Sequence, residues 1–231
     1  MREAYEQAYR EISLALANGQ PCLDCGAGSG HVYRLLAGRE NVPPTLYHGL
    51  EWNKEAVKLA HEKGLDVTHC DLNNGIPHAD NSFGCVFGLS VLEHLLRPCQ
   101  FIGECFRVLE KGGRLVILTP NISTYFTAAL ILAGRMPSSG PHPDSNALLQ
   151  HEEIFKVSSR NIVYDAELDM PAHRHLVVFS YKSLKSYLQL AGFKDIEGYG
   201  YGLYPFPNFL QPALEKIDPY HCHQMVFVAK K

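Results

Sequence analysis

Residues 22–32 read Cys22-Leu23-Asp24-Cys25-Gly26-Ala27-Gly28-Ser29-Gly30-His31-Val32, a short apolar run that ends in an acid and gives way to three glycines at alternate positions. The next residues, Val32-Tyr33-Arg34-Leu35-Leu36-Ala37, read as a helix. A strand, a tight glycine turn and a helix in this order let a ligand approach backbone that side chains would otherwise block. The dinucleotide fingerprint is G-x-G-x-x-G, with the pyrophosphate on the helix N-terminus. Here the third glycine arrives one residue early, which disfavours a nicotinamide cofactor.

The pattern D-x-G-x-G-x-G over Asp24, Gly26, Gly28 and Gly30 resembles motif I of class I S-adenosylmethionine-dependent methyltransferases, of the type 11 kind. That resemblance implies a Rossmann-like α/β fold: a seven-stranded, mostly parallel sheet in the order 3-2-1-4-5-7-6, strand seven antiparallel, flanked by helices. Strand two is expected over Leu46–Glu51. Glu51 stands at its end, where an acid can accept both hydroxyls of a ribose. The resemblance assigns Glu51 to the adenosine ribose and Trp52 to the side of the adenine. Strand three is expected over Val67–Cys70, after a helix over Lys54–Lys63. By the same resemblance Asp71 takes the adenine amino group and the Leu72 backbone a ring nitrogen. Asp71 reads equally as a cap for the turn-rich stretch that follows.

The stretch Phe83-Gly84-Cys85-Val86, with Val91-Leu92-Glu93-His94-Leu95 behind it, is similar to the family's F-D-x-V fourth strand and V-L-E-H-L helix start. Gly84 stands where the family usually has Asp. Gly88 to Ser90 should form the strand end that faces the methyl group, so Ser90 completes the cofactor set. No Asn/Asp-Pro-Pro-Tyr is present, which argues against methylation of an amino group on a flipped base. Pro98-Cys99 lies too far past strand four to serve as the nucleophile of a cytosine-C5 enzyme. A helix over Pro98–Leu109, stopped by Glu110-Lys111-Gly112-Gly113, leads into strand five at Arg114–Pro120.

Residues 121–179 form an insertion after strand five, where this fold usually builds its substrate pocket. It opens with a helix over Ile122–Ala133 and becomes rich in Pro, Ser, Asn and His from residue 138. A loop of this length is more often functional than idle. Ser180 caps a helix over Tyr181–Ala191, strand six follows at Phe193–Gly198, and Gln224–Ala229 is the last strand. The aromatics Tyr199, Tyr201, Tyr204, Phe206 and Phe209 either wall an acceptor pocket or pack on the sheet edge. At the other end, Arg2–Ala17 has helical spacing of Tyr5, Tyr9, Ile12 and Leu16. These form a core stripe, or one tyrosine reaches the cofactor. The whole chain, 1–231, reads as one domain, with 121–179 as a substrate lid within it.

A net charge of −3 provides no bulk attraction to nucleic acid or an acidic membrane. The charged first residues are no secretory signal, and the apolar stretch at Ala128–Ala133 is too short to span a bilayer. Seven cysteines, an odd number within apolar runs, read as reduced and cytoplasmic. Cys22 and Cys25 are three apart in a strand, so their sulfurs diverge onto opposite faces. Twelve histidines are many, but no helix carries H-x-x-x-H, and no metal is expected. His94, His151 and His175 are candidate general bases for an oxygen or nitrogen acceptor.

The expected activity is transfer of a methyl group from S-adenosyl-L-methionine to an oxygen or nitrogen of a small-molecule acceptor, with a homodimer left open. The alternative is a regulatory, non-catalytic binder of the cofactor. Pro120-Asn121, a helix, then Gly134-Arg135-Met136-Pro137 is similar to the MetW family, whose members are associated with a homoserine acyltransferase.

Overall fold

The structure, a computed structural model, describes residues 2–17, 19–40, 43–143, 145, 148, 164–165, 170–171 and 174–231. Seven strands make one sheet: β1 Cys22–Cys25, β2 Tyr47–Glu51, β3 Asp66–His69, β4 Phe83–Leu89, β5 Leu109–Pro120, β6 Lys194–Tyr201 and β7 Gln224–Lys230. Their order is β3-β2-β1-β4-β5-β7-β6. The pairs from β3 to β5 are parallel, and β7 runs antiparallel to both β5 and β6. This is the expected sheet. A separate short ribbon pairs Tyr164–Asp165 with Met170–Pro171.

The period-two alternation of each strand splits the core between the two faces. Leu23, Cys25, Val86, Leu115 and Ile117 join one cluster; Cys22, Cys85, Phe87, Val116 and Leu118 join the other. A parallel sheet covered on both faces needs such unbroken apolar runs. Cys22 and Cys25 accordingly lie in different clusters, both buried and unbridged. Each fully buried side chain of the size of Phe87 contributes roughly 1.5–3 kcal/mol of transfer free energy.

The helices are α1 Arg2–Leu16, α2 His31–Glu40, α3 Lys54–His61, α4 Pro98–Val108, α5 Tyr125–Leu132, α6 Tyr181–Leu190 and α7 Gln211–Ile217. Helix α1 buries Ala4, Ala8, Ile12 and Leu16 on the second cluster. Three N-caps follow from the sequence: Asn53 accepts from Glu55 and Ala56 N–H, Thr124 from Thr127, and Ser180 from Ser183.

Several boundaries differ from expectation. Val91-Leu92-Glu93-His94-Leu95 is not a helix start. Only Leu92–His94 turn, as a 3₁₀ segment, and Leu95 is already extended. Helix α4 begins six residues after Leu92 because Pro98 forces its predecessor out of helical backbone, and Arg97 sits at φ −125°, ψ 57°. The stretch Glu110–Gly113 is not a helix stop but part of β5, since Leu109 turns extended and pairs with Phe83. Strand β6 starts at Lys194 and runs on to Tyr201, held by pairing with β7. Its Tyr199 and Tyr201 pack on the α1 side of the sheet, whereas Phe209 is 81% exposed. Gly84, the departure from the family's Asp, has no room for a larger residue: a Cβ there would overlap the Gln20 side chain.

Candidate functional site

The strand order reverses between β1 and β4, and ligands of open α/β sheets bind outside the carboxyl ends at such a point. The glycine loop, Glu51, Asp71 and Ser90 follow the carboxyl ends of β1, β2, β3 and β4. All three glycines of the loop have positive φ: 88° at Gly26, 53° at Gly28 and 81° at Gly30. A Cβ on Gly26 would overlap Val91, and one on Gly30 would overlap Leu65. The loop is therefore backed directly by the β4 end and by the segment before β3.

The loop's own N–H groups decide what it can hold. Gly26 and Ala27 donate to the Leu50 carbonyl at 2.8 and 3.0 Å, and Gly30 donates to Ala27. Gly28 donates to Glu51 Oε2 at 2.8 Å, while Asn53 N–H donates to Glu51 Oε1 at 2.8 Å. Four of the five N–H groups of residues 26–30 are thus spent within the protein, and a pyrophosphate cradle needs them free. The Glu51 carboxylate is pinned between two loops and has lone pairs left over. A fixed acceptor of that kind suits a neutral polyol such as a ribose.

Trp52 stands beside it, 45% exposed. Asp71 caps the turn that follows β3: its Oδ1 accepts from Asn73 N–H and Nδ2, and its Oδ2 from Asn74 Nδ2. The capping alternative for Asp71 is therefore occupied, which leaves it limited capacity for a further donor. Leu72 is buried, so only its backbone is available to a ligand. Asp24 is 2% exposed and accepts from the Tyr47 hydroxyl at 2.7 Å. Burial pushes its pKa up to about 7, the Tyr47 hydrogen bond opposes this, and the Glu51 charge adds to it.

Ser90 carries φ +56°, and its hydroxyl shares a 2.9 Å hydrogen bond with the Tyr5 hydroxyl. Helix α1 thus sends Tyr5 to the β4 end, while Tyr9 is buried in the sheet-side packing.

Past Ser90 the structure gathers residues that are distant in sequence. Glu93 is 2% exposed, and its Oε2 accepts from the Thr119 hydroxyl at 2.9 Å. Its pKa is raised to about 7 by burial, against hydrogen bonds from its own N–H and from Thr119. The Glu93 carbonyl accepts from Leu176 N–H at 2.7 Å, so the end of the 121–179 insertion returns over this turn. His94 lies edge-on to His175, with ring centroids 5.2 Å apart. His175 stacks on His142 at 4.9 Å. Burial pushes the His175 pKa down to about 4, a hydrogen bond to the Ser139 carbonyl opposes this, and the neighbouring His94, His142 and His223 add to it.

Two of the three candidate bases therefore meet. His151 lies outside the described residues. Sequence reasoning missed Glu93 and His142. The signal for Glu93 was its place beside His94 in a turn too apolar to be exposed; His142 offered none.

A profile of the methyltransferase domain matches residues 1–197. The chain belongs to the methyltransferase domain family. Among curated relatives of this methyltransferase-family chain, a probable S-adenosylmethionine-dependent methyltransferase of Mycolicibacterium smegmatis is 33% identical over 125 residues, 52% of this chain and 46% of the relative. The bifunctional methionine biosynthesis protein MetXA/MetW of Rhodopirellula baltica is 30% identical over 124 residues, 51% of this chain and 19% of that protein. The chain spans about half or less of the length of these curated relatives. A solved SAM-dependent methyltransferase of Thermotoga maritima superposes with a TM-score of 0.57 at 14% identity, covering 100% of this chain and 94% of its own, a likeness of fold.

Proposed function

We propose that this chain binds S-adenosyl-L-methionine at the β1–β4 switch point and transfers its methyl group to an oxygen or nitrogen of a small-molecule acceptor. The observation that carries the reading is the glycine loop whose N–H groups are spent internally, one of them on the Glu51 carboxylate. That arrangement fits a nucleoside without pyrophosphate. Glu51 accepts the ribose hydroxyls, Trp52 flanks the adenine, and the Asp71–Leu72 backbone meets its edge. Gly26, Gly28 and Gly30 let the amino-acid tail lie on bare backbone. Asp24 supports the loop from below through Tyr47, and Ser90 marks the methyl end.

The cofactor supplies an already activated methyl on a sulfonium. The protein's part is to align the acceptor in line and exclude water. The 121–179 segment is the acceptor-side lid of a single 1–231 domain, and its return strap at 174–177 supports that role by touching Glu93. His94 or His175 would take the acceptor's proton, although the burial that keeps His175 neutral also makes it a weak base. Among the described residues no helix is long and apolar enough to cross a membrane. The unbridged cysteines support a cytoplasmic reaction, and the net charge of −3 and the lack of an Asn/Asp-Pro-Pro-Tyr motif support a small molecule over nucleic acid as acceptor.

Calorimetric titration with S-adenosylmethionine, S-adenosylhomocysteine and NAD tests the cofactor. Micromolar binding of the first two and none of NAD is expected, and NAD binding alone would overturn the reading. The second reading, a regulatory partner of an acyltransferase, is favoured by the Rhodopirellula relative. Cofactor binding without turnover on an acceptor panel, together with stable pairing to a homoserine acyltransferase, would select it.

A further inference from the structure

One ligand atom from each of Glu93, His94 and His175 lies within 4.8 Å of the others. The hydrogen bonds around them settle the tautomers. His94 Nδ1 contacts the Arg174 carbonyl at 3.0 Å, and His175 Nδ1 contacts the Ser139 carbonyl at 2.7 Å. A carbonyl only accepts, so both rings carry their proton on Nδ1 and, when neutral, their lone pair on Nε2. His142 is the opposite case. Its Nδ1 accepts from the His175 backbone N–H at 3.1 Å, so its proton sits on Nε2 and faces the Ser138 carbonyl at 3.2 Å. His142 is thereby a positioning residue: its backbone N–H and its ring both hold residue 175 in place. Metal-bound imidazoles are oriented in this way, by a second nitrogen that donates to a carbonyl. The carboxylate has its own orienting partner in Thr119.

We propose that Glu93, His94 and His175 form a binding site for a borderline divalent cation of the zinc(II) type, with two imidazole Nε2 atoms and one carboxylate oxygen as ligands. This donor set suits zinc, ferrous iron or cobalt(II) better than calcium or magnesium, which prefer all-oxygen shells. Tetrahedral bonds of about 2.0–2.1 Å place ligands roughly 3.3 Å apart, so the three groups close by at most about 1.5 Å on loading. Side-chain torsions supply that movement.

The burial of Glu93 favours a cation. A buried carboxylate is costly unless a positive charge or several donors compensate it, and Glu93 receives only Thr119 and its own N–H among the contacts described. Against it, the Arg174 guanidinium acts electrostatically on His142 and adds a positive charge nearby, and its Nε and Nη1 are buried without hydrogen-bond partners. An anionic oxygen as a remaining ligand of the ion would offset that charge. The ion would tie the β4 turn to the returning strap and, by taking both Nε2 lone pairs, would remove His94 and His175 as bases while it is bound.

Metal is stripped from the full chain with a chelator and returned as Zn²⁺ in calorimetry and as Co²⁺ in visible absorption. One ion per chain is expected, with the intense visible bands of low-coordinate cobalt(II). Zn-edge X-ray absorption of the wild-type protein should count two imidazoles, which needs no variant to fold. His94→Gln and His175→Gln should each weaken binding by at least about 100-fold, and Thr119→Val by about tenfold, the scale of a lost supporting group. His48→Gln, which removes a half-buried histidine paired with Asp66 and away from the cluster, should leave affinity unchanged. Absence of a one-to-one ion, an all-oxygen shell, or binding that survives in folded His94→Gln and His175→Gln protein would each overturn the site. None of these readouts depends on S-adenosylmethionine binding.

Discussion

The proposed cofactor side and the proposed acceptor side of the sheet's carboxyl end are built in different ways. On the cofactor side, residues 24–30, 51–53 and 71–74 bond mostly within their own loop or a neighbouring one, although Asn73 also accepts from Leu96 and Arg97 N–H and Asp24 from Tyr47. On the acceptor side, Glu93 depends on Thr119 and on the 176–177 backbone, and His94 on Arg174. The first half is a local device that spacing reveals. The second is a long-range assembly, and no short motif carries it.

The largest expected effect sharpens the local side. Asp24 has its folded pKa raised to about 7 from 3.8. The folded state therefore binds its proton more tightly than the unfolded chain. The linked stability is greatest below the unfolded pKa and falls as pH rises from about 4 to about 7, then stays level. Each tenfold difference in proton affinity between the two states is worth about 1.4 kcal/mol. Denaturant melts at pH 5 and pH 8 should therefore show wild type losing about 3 kcal/mol more than Asp24→Asn across that interval. Parallel curves for the two proteins would mean that Asp24 is not the buried acid the structure describes.

Next come the loop glycines, which separate strain from space. Gly26→Ala adds both a strained φ and a clash with Val91, and should cost about 2–4 kcal/mol. Gly28→Ala has open space, so only strain of about 1–2 kcal/mol applies. Equal melting losses for the two would break the argument that Val91 backs the loop.

Glu51→Ala should weaken S-adenosylmethionine by about 1.5–3 kcal/mol, the scale of a charged hydrogen bond. Part of that loss is indirect, because Gly28 and Asn53 N–H lose their acceptor. Unchanged calorimetric affinity in folded protein would remove Glu51 from the ribose. The smallest effect is at the join between the halves. Tyr5→Phe removes a single hydrogen bond to Ser90 and should lower stability by about 0.5–1.5 kcal/mol. A loss several times larger would mean that α1 is anchored mainly at the β4 end rather than by its apolar stripe.

Much of the architecture was legible because its causes are periodic. The apolar runs of β1, β4 and β5, the Ser180 cap and the glycine spacing each act over a few residues. The sheet order came from resemblance rather than from periodicity. Where expectation failed, a tertiary partner had overruled a local signal. Leu92–His94 reads as helix until Pro98 and the strap limit it to one turn. Glu110–Gly113 reads as a helix stop until pairing of Leu109 with Phe83 draws it into β5. Asp71 left two readings open, and the Asn73 and Asn74 side chains show that the capping one is realised.

From the chain of residues alone one could write the strand–loop–helix start, the acid at the end of β2 and the class of ligand that such a loop admits. These depend on neighbours within a turn or two, and steric rules of short range suffice for them. The burial of Asp24 against Tyr47 and the meeting of Glu93, His94 and His175 were decided only in three dimensions. They depend on packing, desolvation and backbone carbonyls brought in from residues far away in sequence. Spacing holds no record of those distances.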